Sequence, residues 1–573
     1  MNSSCFKIRI LLFSLFFLSF SVSNSQKKIR LDQIWNDEFI PQRMESLKSM
    51  NDGERYTYIS KNILNHESTI YSEYYTSNRK KKIILSSRLP LVPFFSDYEF
   101  SEDERKILIT TEKEEIYRRS IKGIFWVYNT FDGSIQMVFN KKIQEPTFSP
   151  DGNKIAFVFN RNLYVKDLNS NSLFQITNDG NNEIINGITD WVYEEEFGFV
   201  KAFLWSPDSS KLVFMRFDES KVPFFSMDIY GEGLYQFPYK FRYPKAGESN
   251  SKVSLHIYDL KSKSISNIKF SDNQEPYYIP RFKFTSDQNL LSVQTINRKQ
   301  NHLKFHLINL ITEESKVILQ EQSKTYLDVN DDFFFLPDNS FLWTSEKSGY
   351  NHIYHFDKNG KFISQITKGS WEVTKIYNYR NKTREIFFGA AKSSSVDRGV
   401  YSIKLNSKKI KPITKESGFN GAIFNRDASK FIHTYSDENT PPKYVIRESK
   451  NGALIRKIID NEFLKNKLSK YNLPKKDFST INLNGQNLNY YIIKPKNFKS
   501  SKKYPLLLFQ YSGPGSQQVS NRWGNNRDLW HKMLTQKGYF IACLDGRGTG
   551  YKGEKFKKMT YMNLGELETQ DQI

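Results

Sequence analysis

Cysteine is nearly absent from the 573 residues. Only Cys5 and Cys543 occur, at opposite ends of the chain, so no intramolecular disulfide framework can brace the fold. Apolar runs of membrane-spanning length are missing as well. The run from Ile10 to Val22 covers 13 residues, short of the roughly 20 that a spanning helix needs. It follows Lys7 and Arg9 and precedes Ser23-Asn24-Ser25, small at the two positions a signal peptidase reads before Gln26. Residues 1–25 therefore read as a cleaved export signal, with an uncleaved anchor as the alternative. Cys5 precedes the apolar run and is not placed to carry a lipid. Exported, the mature chain would be periplasmic or extracellular, with no stable membrane span after signal cleavage. No basic arm accompanies the excess of 84 Lys and Arg over 62 Asp and Glu; the +22 is scattered, as in Asn406-Ser407-Lys408-Lys409, which excludes a nucleic-acid reader. A hydrophobic content of 38%, 15% aromatic, with 25% charged residues, is that of a globular protein with a large core, and the length calls for at least two domains.

Helical periodicity is scarce from about residue 48 to 455. Short aromatic and β-branched runs closed by turn residues take its place, the pattern of an all-β region. A turn followed by an apolar strand recurs eight times, from Asn51-Asp52-Gly53 before Tyr56–Ile59 to Arg426-Asp427 before Phe431–His433. The turn residues fall at 52, 103, 151, 208, 287, 338, 382 and 427. A period near 50 predicts four-stranded β-propeller blades, here eight. The long interval between 208 and 287 predicts an insertion around Pro223 to Lys252. A segment over 26–48 precedes the propeller region of 49–455 and is expected to pack on the side of the C-terminal domain.

After about 456 the pattern changes. A helical stretch near 461–470 and strands within 480–493 lead into an α/β alternation: a buried strand over Tyr504–Gln510, a helix over Arg527–Lys537 and a second buried strand over Tyr539–Leu544. Residues 456–573 thus read as the beginning of a doubly wound domain.

The segments Asp190-Trp191-Val192-Tyr193-Glu194-Glu195-Glu196, Trp205-Ser206-Pro207 and Tyr243-Pro244-Lys245-Ala246-Gly247 carry a resemblance that extends through Tyr511–Gln517, Asp545–Tyr551 and Glu568–Ile573. Together they closely resemble the dipeptidyl peptidase IV branch of the prolyl oligopeptidase family of serine peptidases. The resemblance implies an eight-bladed propeller stacked on an α/β-hydrolase that removes Xaa-Pro or Xaa-Ala dipeptides from free peptide N-termini, without metal or organic cofactor. It places Glu195 and Glu196 on the substrate ammonium, Arg118 on a substrate carbonyl and Tyr511 at the oxyanion. An ammonium with three donors suits two carboxylates. Without the resemblance, three consecutive glutamates would be a solvated acidic face and Tyr511 an aromatic packed at a strand end. Arg119 beside Arg118 leaves a plain surface arginine pair as the alternative there. Asp545-Gly546-Arg547-Gly548 reads as a structural turn, not as a catalytic acid.

A Gly-x-Ser-x-Gly nucleophile elbow is missing. Ser516 comes too early to replace it, and the last histidine, His531, falls within the predicted helix. The serine, aspartate and histidine of the family are expected after Ile573, so the chain reads as a truncated form with an incomplete α/β-hydrolase domain, inactive by itself. The alternative is a non-catalytic propeller that binds peptide N-termini. Full-length relatives commonly form homodimers through the hydrolase and a propeller arm, for which the long interval offers room.

Overall fold

A computed structural model describes residues 27–77, 79–271, 278–471 and 473–573. The export signal read over 1–25, with Cys5, lies outside the described residues. No helix among the described residues is long and apolar enough to cross a membrane.

Eight antiparallel sheets of four strands follow one another along the chain, spanning 45–86, 97–137, 144–175, 184–267, 278–322, 334–365, 373–412 and 419–459. They are the blades of a propeller, each built from consecutive strands except the fourth, which a separate hairpin interrupts. In the fourth, the first strand is split in two, and both halves pair with Lys211–Asp218. The ring closes through side chains, with no strand shared between its first and last blades: Tyr56 and Tyr75 of the first pack against Ile432, Tyr444 and Ile446 of the eighth. Arg456 adds a polar clasp, its Nη2 donating to Tyr56 Oη, Glu73 Oε2 and Tyr74 O at 2.7–2.8 Å.

Each predicted turn residue lies between the first and second strands of its blade. The reason is local. In seven of the eight turns an aspartate, Asp52, Asp103, Asp151, Asp208, Asp287, Asp338 or Asp427, accepts a hydrogen bond from the backbone N–H two residues on, the geometry for which Asp is selected in turns. The fourth blade carries the predicted insertion as a projecting hairpin, Phe224–Ile229 paired with Phe237–Arg242.

The rest of the chain sits on one face of the ring, where the turns between second and third strands and the connections between blades lie. Helix α1 (Leu31–Trp35) and helix α2 (Glu462–Ser469) join helix α3 (Asn526–Gln536) in one cluster through Ile34, Leu464, Leu468, Leu529 and Met533. Four strands form a mixed sheet in which Leu506–Phe509 runs parallel to Phe540–Asp545, itself antiparallel to Gln486–Ile493. The strand expected as buried over Tyr504–Gln510 is instead the sheet's edge strand, with Leu506 60% and Leu508 41% exposed. A continuous apolar run marks a strand suited to burial on both faces, but only one side of this one is paired.

Salt bridges and hydrogen bonds hold the propeller and the α/β unit together. Lys557 bridges Asp328 and Glu346, Glu372 accepts from Gly553 N at 2.8 Å, and Lys532 meets Glu438 at 2.6 Å.

Candidate functional site

Blade four departs from its neighbours where its first strand is interrupted. Between Ile184–Asn186 and Phe203–Trp205 the chain leaves the sheet as a short ladder, Thr189 N donating to Val200 O at 3.0 Å and Thr189 Oγ1 to Phe199 O at 2.9 Å. Its tip is a single turn of π-helix, Tyr193–Phe197, ended by Gly198 at φ +74°. π-Turns are rare and concentrate at functional sites.

Buried polar groups fix this tip. Asp190 accepts from Tyr193 N at 3.0 Å and from Ser251 Oγ at 2.5 Å, and burial raises its carboxyl above the ordinary range. Tyr193, buried, accepts from Ile279 N through its hydroxyl at 2.9 Å. The three glutamates on the turn then take different environments. Glu194 is buried and accepts from Arg119 N (2.6 Å) and Ser120 N (2.9 Å). Glu195, partly buried, accepts from Arg118 Nε at 2.9 and 3.2 Å. Glu196 is exposed.

Arg118 and Arg119 belong to the turn between second and third strands of blade two, on the face that carries the α/β unit. The tip of blade four thus reaches past blade three, and Glu194 locks it to that turn through backbone donors. The structure brings Arg118 and Glu195 together and leaves the Glu196 carboxylate on the same turn facing solvent. Glu194, which sequence reasoning left without a role, is the residue that sets their register. Its only signal was its place in the glutamate triplet.

Beside this cluster the hairpin root forms an aromatic cavity of about 630 Å³, with Tyr117, Trp191, Tyr239, Phe241 and Tyr243 among its walls. Trp191 meets Tyr243 edge-on at 4.4 Å and Tyr117 lies 6.0 Å from Phe241. Packing of this kind couples the hairpin to both halves of the acidic cluster.

Tyr511 lies apart from these residues in the chain, just after the edge strand Leu506–Phe509, with its side chain 62% exposed. Ser516 Oγ donates to its carbonyl at 3.1 Å, and Gly550 N donates to Ser516 O at 2.9 Å. Gly550 permits that close approach, since a Cβ there would meet Gly515 O at 2.6 Å. Asp545 is committed to the same loop and accepts from Gln518 N and Val519 N at 2.9 Å each; burial moves its carboxyl up to about 6. Arg547 pairs with buried Asp571 at 2.7 Å. Both are structural contacts.

No group of three or more His, Cys, Asp or Glu residues among the described ones is arranged to hold a metal ion.

An eight-bladed propeller with an α/β unit on one face, and a glutamate–arginine cluster on that same face, defines the class of protein. The family model described as "Dipeptidyl peptidase IV (DPP IV) N-terminal region" matches residues 101–442. Dipeptidyl peptidase 4 of Trichophyton equinum is 30% identical over 561 residues, covering 93% of this chain and 71% of the relative. A probable dipeptidyl-aminopeptidase B of Arthroderma otae is 29% identical over 509 residues, covering 82% and 55%. The crystal structure of Porphyromonas gingivalis dipeptidyl peptidase 4 superposes with a TM-score of 0.89 at 36% identity, covering 95% of this chain and 78% of that one. The chain belongs to the dipeptidyl peptidase IV family.

Proposed function

We propose that this chain recognises the free N-terminus of a peptide within an exported serine-type dipeptidyl peptidase releasing Xaa-Pro or Xaa-Ala dipeptides. The observation that supports it most is the paired Arg118 and Glu195 beside the free carboxylate of Glu196. In this reading Glu195 and Glu196 hold the substrate ammonium by charge-assisted hydrogen bonds and exclude longer extensions. Arg118 turns its guanidinium to a substrate carbonyl, and Tyr511 donates to the oxyanion, a role worth about 10²–10³ in rate. The division that goes with it is a signal over 1–25, a segment over 26–48 on the hydrolase side, a propeller over 49–455 and a hydrolase portion over 456–573. The projecting hairpin is the arm through which the full-length form would dimerise.

The 573 residues hold no Gly-x-Ser-x-Gly elbow. Hydrolysis is therefore assigned to a form that also carries that elbow with its acid and histidine, and binding to the chain as it stands. This keeps the second reading, a propeller that binds peptide N-termini without cutting, within the same test. Calorimetric titration with a Gly-Pro peptide should give saturable binding that N-acetylation abolishes and that Glu195→Gln and Glu196→Gln each weaken at least about tenfold, the loss of one charge-assisted bond. Equal affinity for the free and acetylated peptides would refute the assignment. No release of chromophore from a Gly-Pro chromogenic amide is expected with this chain.

A further inference from the structure

Between blades seven and eight and the loops of the α/β unit lies a second cavity of about 600 Å³ whose charge is of one sign. Arg43, Lys375, Arg398 and Arg522 line it, together with the hydroxyls of Thr434, Tyr435 and Ser436, and no aspartate or glutamate is among its lining residues. The cations come from four separate stretches: the chain just before blade one, the first strand of blade seven, that blade's turn between second and third strands, and the loop before α3.

Arg398 is the most telling of them. It is 6% exposed, yet each of its hydrogen-bond partners is neutral: Nη1 donates to Ser395 O at 3.0 Å and Asp397 O at 2.8 Å, and Nη2 to Gln517 Oε1 at 2.6 Å. Its guanidinium lies 3.5 Å from the Tyr551 ring centre and 5.0 Å from that of Phe419. None of the four cations forms an ion pair with a carboxylate among the described residues. The acids at the margin are engaged elsewhere. Asp397 accepts from Asn521 Nδ2 and Ser417 Oγ, Asp437 from Tyr435 Oη, Asp332, whose field reaches Lys375, from Ile376 N at 3.0 Å, and Glu372, whose field reaches Arg398, from Gly553 N at 2.8 Å.

Gathering four cations around one cavity and burying one of them with no carboxylate in hydrogen-bond contact is costly. A guanidinium fork matches the planar or tetrahedral oxygens of a carboxylate or phosphate. We propose that this cavity is a binding site for an oxyanion, a carboxylate or phosphate group. By ring order it lies across from the acidic cluster of blades two and four, so one face of the molecule carries carboxylates on one side and cations on the other. The oxyanion can come from an acidic peptide or from a free small anion, and the experiment separates the two.

The test is isothermal titration at low ionic strength with three probes: inorganic phosphate, citrate and an N-acetylated peptide of Asp and Glu. The acetyl group keeps the peptide out of any ammonium site, so the outcome is independent of the reading of Glu195 and Glu196. Saturable binding at one site per chain is expected, weakened at least about tenfold by Lys375→Gln and by Arg522→Gln and unchanged by Glu195→Gln. Lys375 and Arg522 both reach solvent, and their variants should keep the wild-type circular dichroism and melting temperature; a variant that does not is set aside in favour of Arg43→Gln. Binding of the peptide alone assigns the site to acidic polypeptide, and binding of phosphate or citrate assigns it to free anions. Absence of saturable binding by all three probes, or binding that the charge-removing variants leave intact, overturns the proposal.

Discussion

Position within a motif does not decide what a carboxylate or an imidazole does; its surroundings do. Glu194, Glu195 and Glu196 are consecutive, yet the first is spent on two backbone donors, the second on Arg118, and the third faces water. Replacing Glu194 by Gln keeps the acceptor oxygen but removes its charge. Peptide binding should therefore fall by several-fold while Glu194→Ala loses it altogether, because the N–H groups of Arg119 and Ser120 are then left without their acceptor, the buried one of Ser120 at about 1–3 kcal/mol; titration of the two variants side by side checks this. His531 shows the same dependence in another form. It is fully buried on α3 against Phe509, both ring nitrogens lack a hydrogen-bond partner among the described residues, and burial lowers its pKa to about 4. A histidine whose folded pKa lies below its unfolded value of about 6.5 costs stability as pH falls through that window, on the order of 3 kcal/mol by pH 4. In urea melts between pH 4 and 7, His531→Leu should flatten this loss and leave the protein no less stable at pH 7. A variant with the same slope as the parent would show that another group controls the acid limb.

At the scale of elements, turns and closure are of different strength. A blade turn such as the one at Asp151 rests on a carboxylate that is itself partly exposed, and Asp151→Ala should cost about 1 kcal/mol. Arg456 ties blade eight to blade one at a buried seam, and Arg456→Met strands Glu73 beside two tyrosines, for about 3 kcal/mol. Chemical denaturation of both variants checks the ordering, and a larger loss from Asp151→Ala would refute it. The same contrast explains what is legible in the sequence. All eight blade turns are, because their cause, an aspartate accepting from the next few N–H groups in seven and the backbone turn at Asn381–Arg384 in the other, is contained in five residues. The arm is legible as excess spacing. The π-turn is not, because its geometry depends on Asp190 reaching Ser251 and Tyr193 reaching Ile279. An exposed sheet edge is expected of an incomplete α/β-hydrolase portion, but that Leu506 and Leu508 carry it is not legible, because their run by itself reads as buried. Of the site, Glu195, Glu196 and Arg118 follow from a motif resemblance; their contact, 77 residues apart in sequence for Glu195 and Arg118, has no local signal.

For the whole molecule, the question is what joins the propeller and the α/β unit into a single body. Apolar contact alone does not do it, since much of the junction is ionic. Glu438, at the turn between second and third strands of blade eight, is 4% exposed and accepts from Lys532 of α3 and from Lys476 N, while its second oxygen has no partner among the described residues. Nearby, Lys476 pairs with Asp528 of the same helix, with both side chains largely buried. Ion pairs withdrawn from water repay little of their desolvation, but removal of one partner leaves the other charged in a poor solvent. Glu438→Ala should therefore destabilise the protein by about 3–5 kcal/mol, far beyond what an exposed pair such as Arg88 and Glu67 contributes. The double variant Glu438→Leu with Lys532→Met should recover most of the loss, because both charges leave together and an apolar contact replaces them. Urea unfolding of the single and double variants decides between this account and one in which the pair is a net attraction. A double variant that stays as unstable as the Glu438→Ala single would favour attraction, and recovery would mean that the charges serve to orient α3 on blade eight and not to bind it.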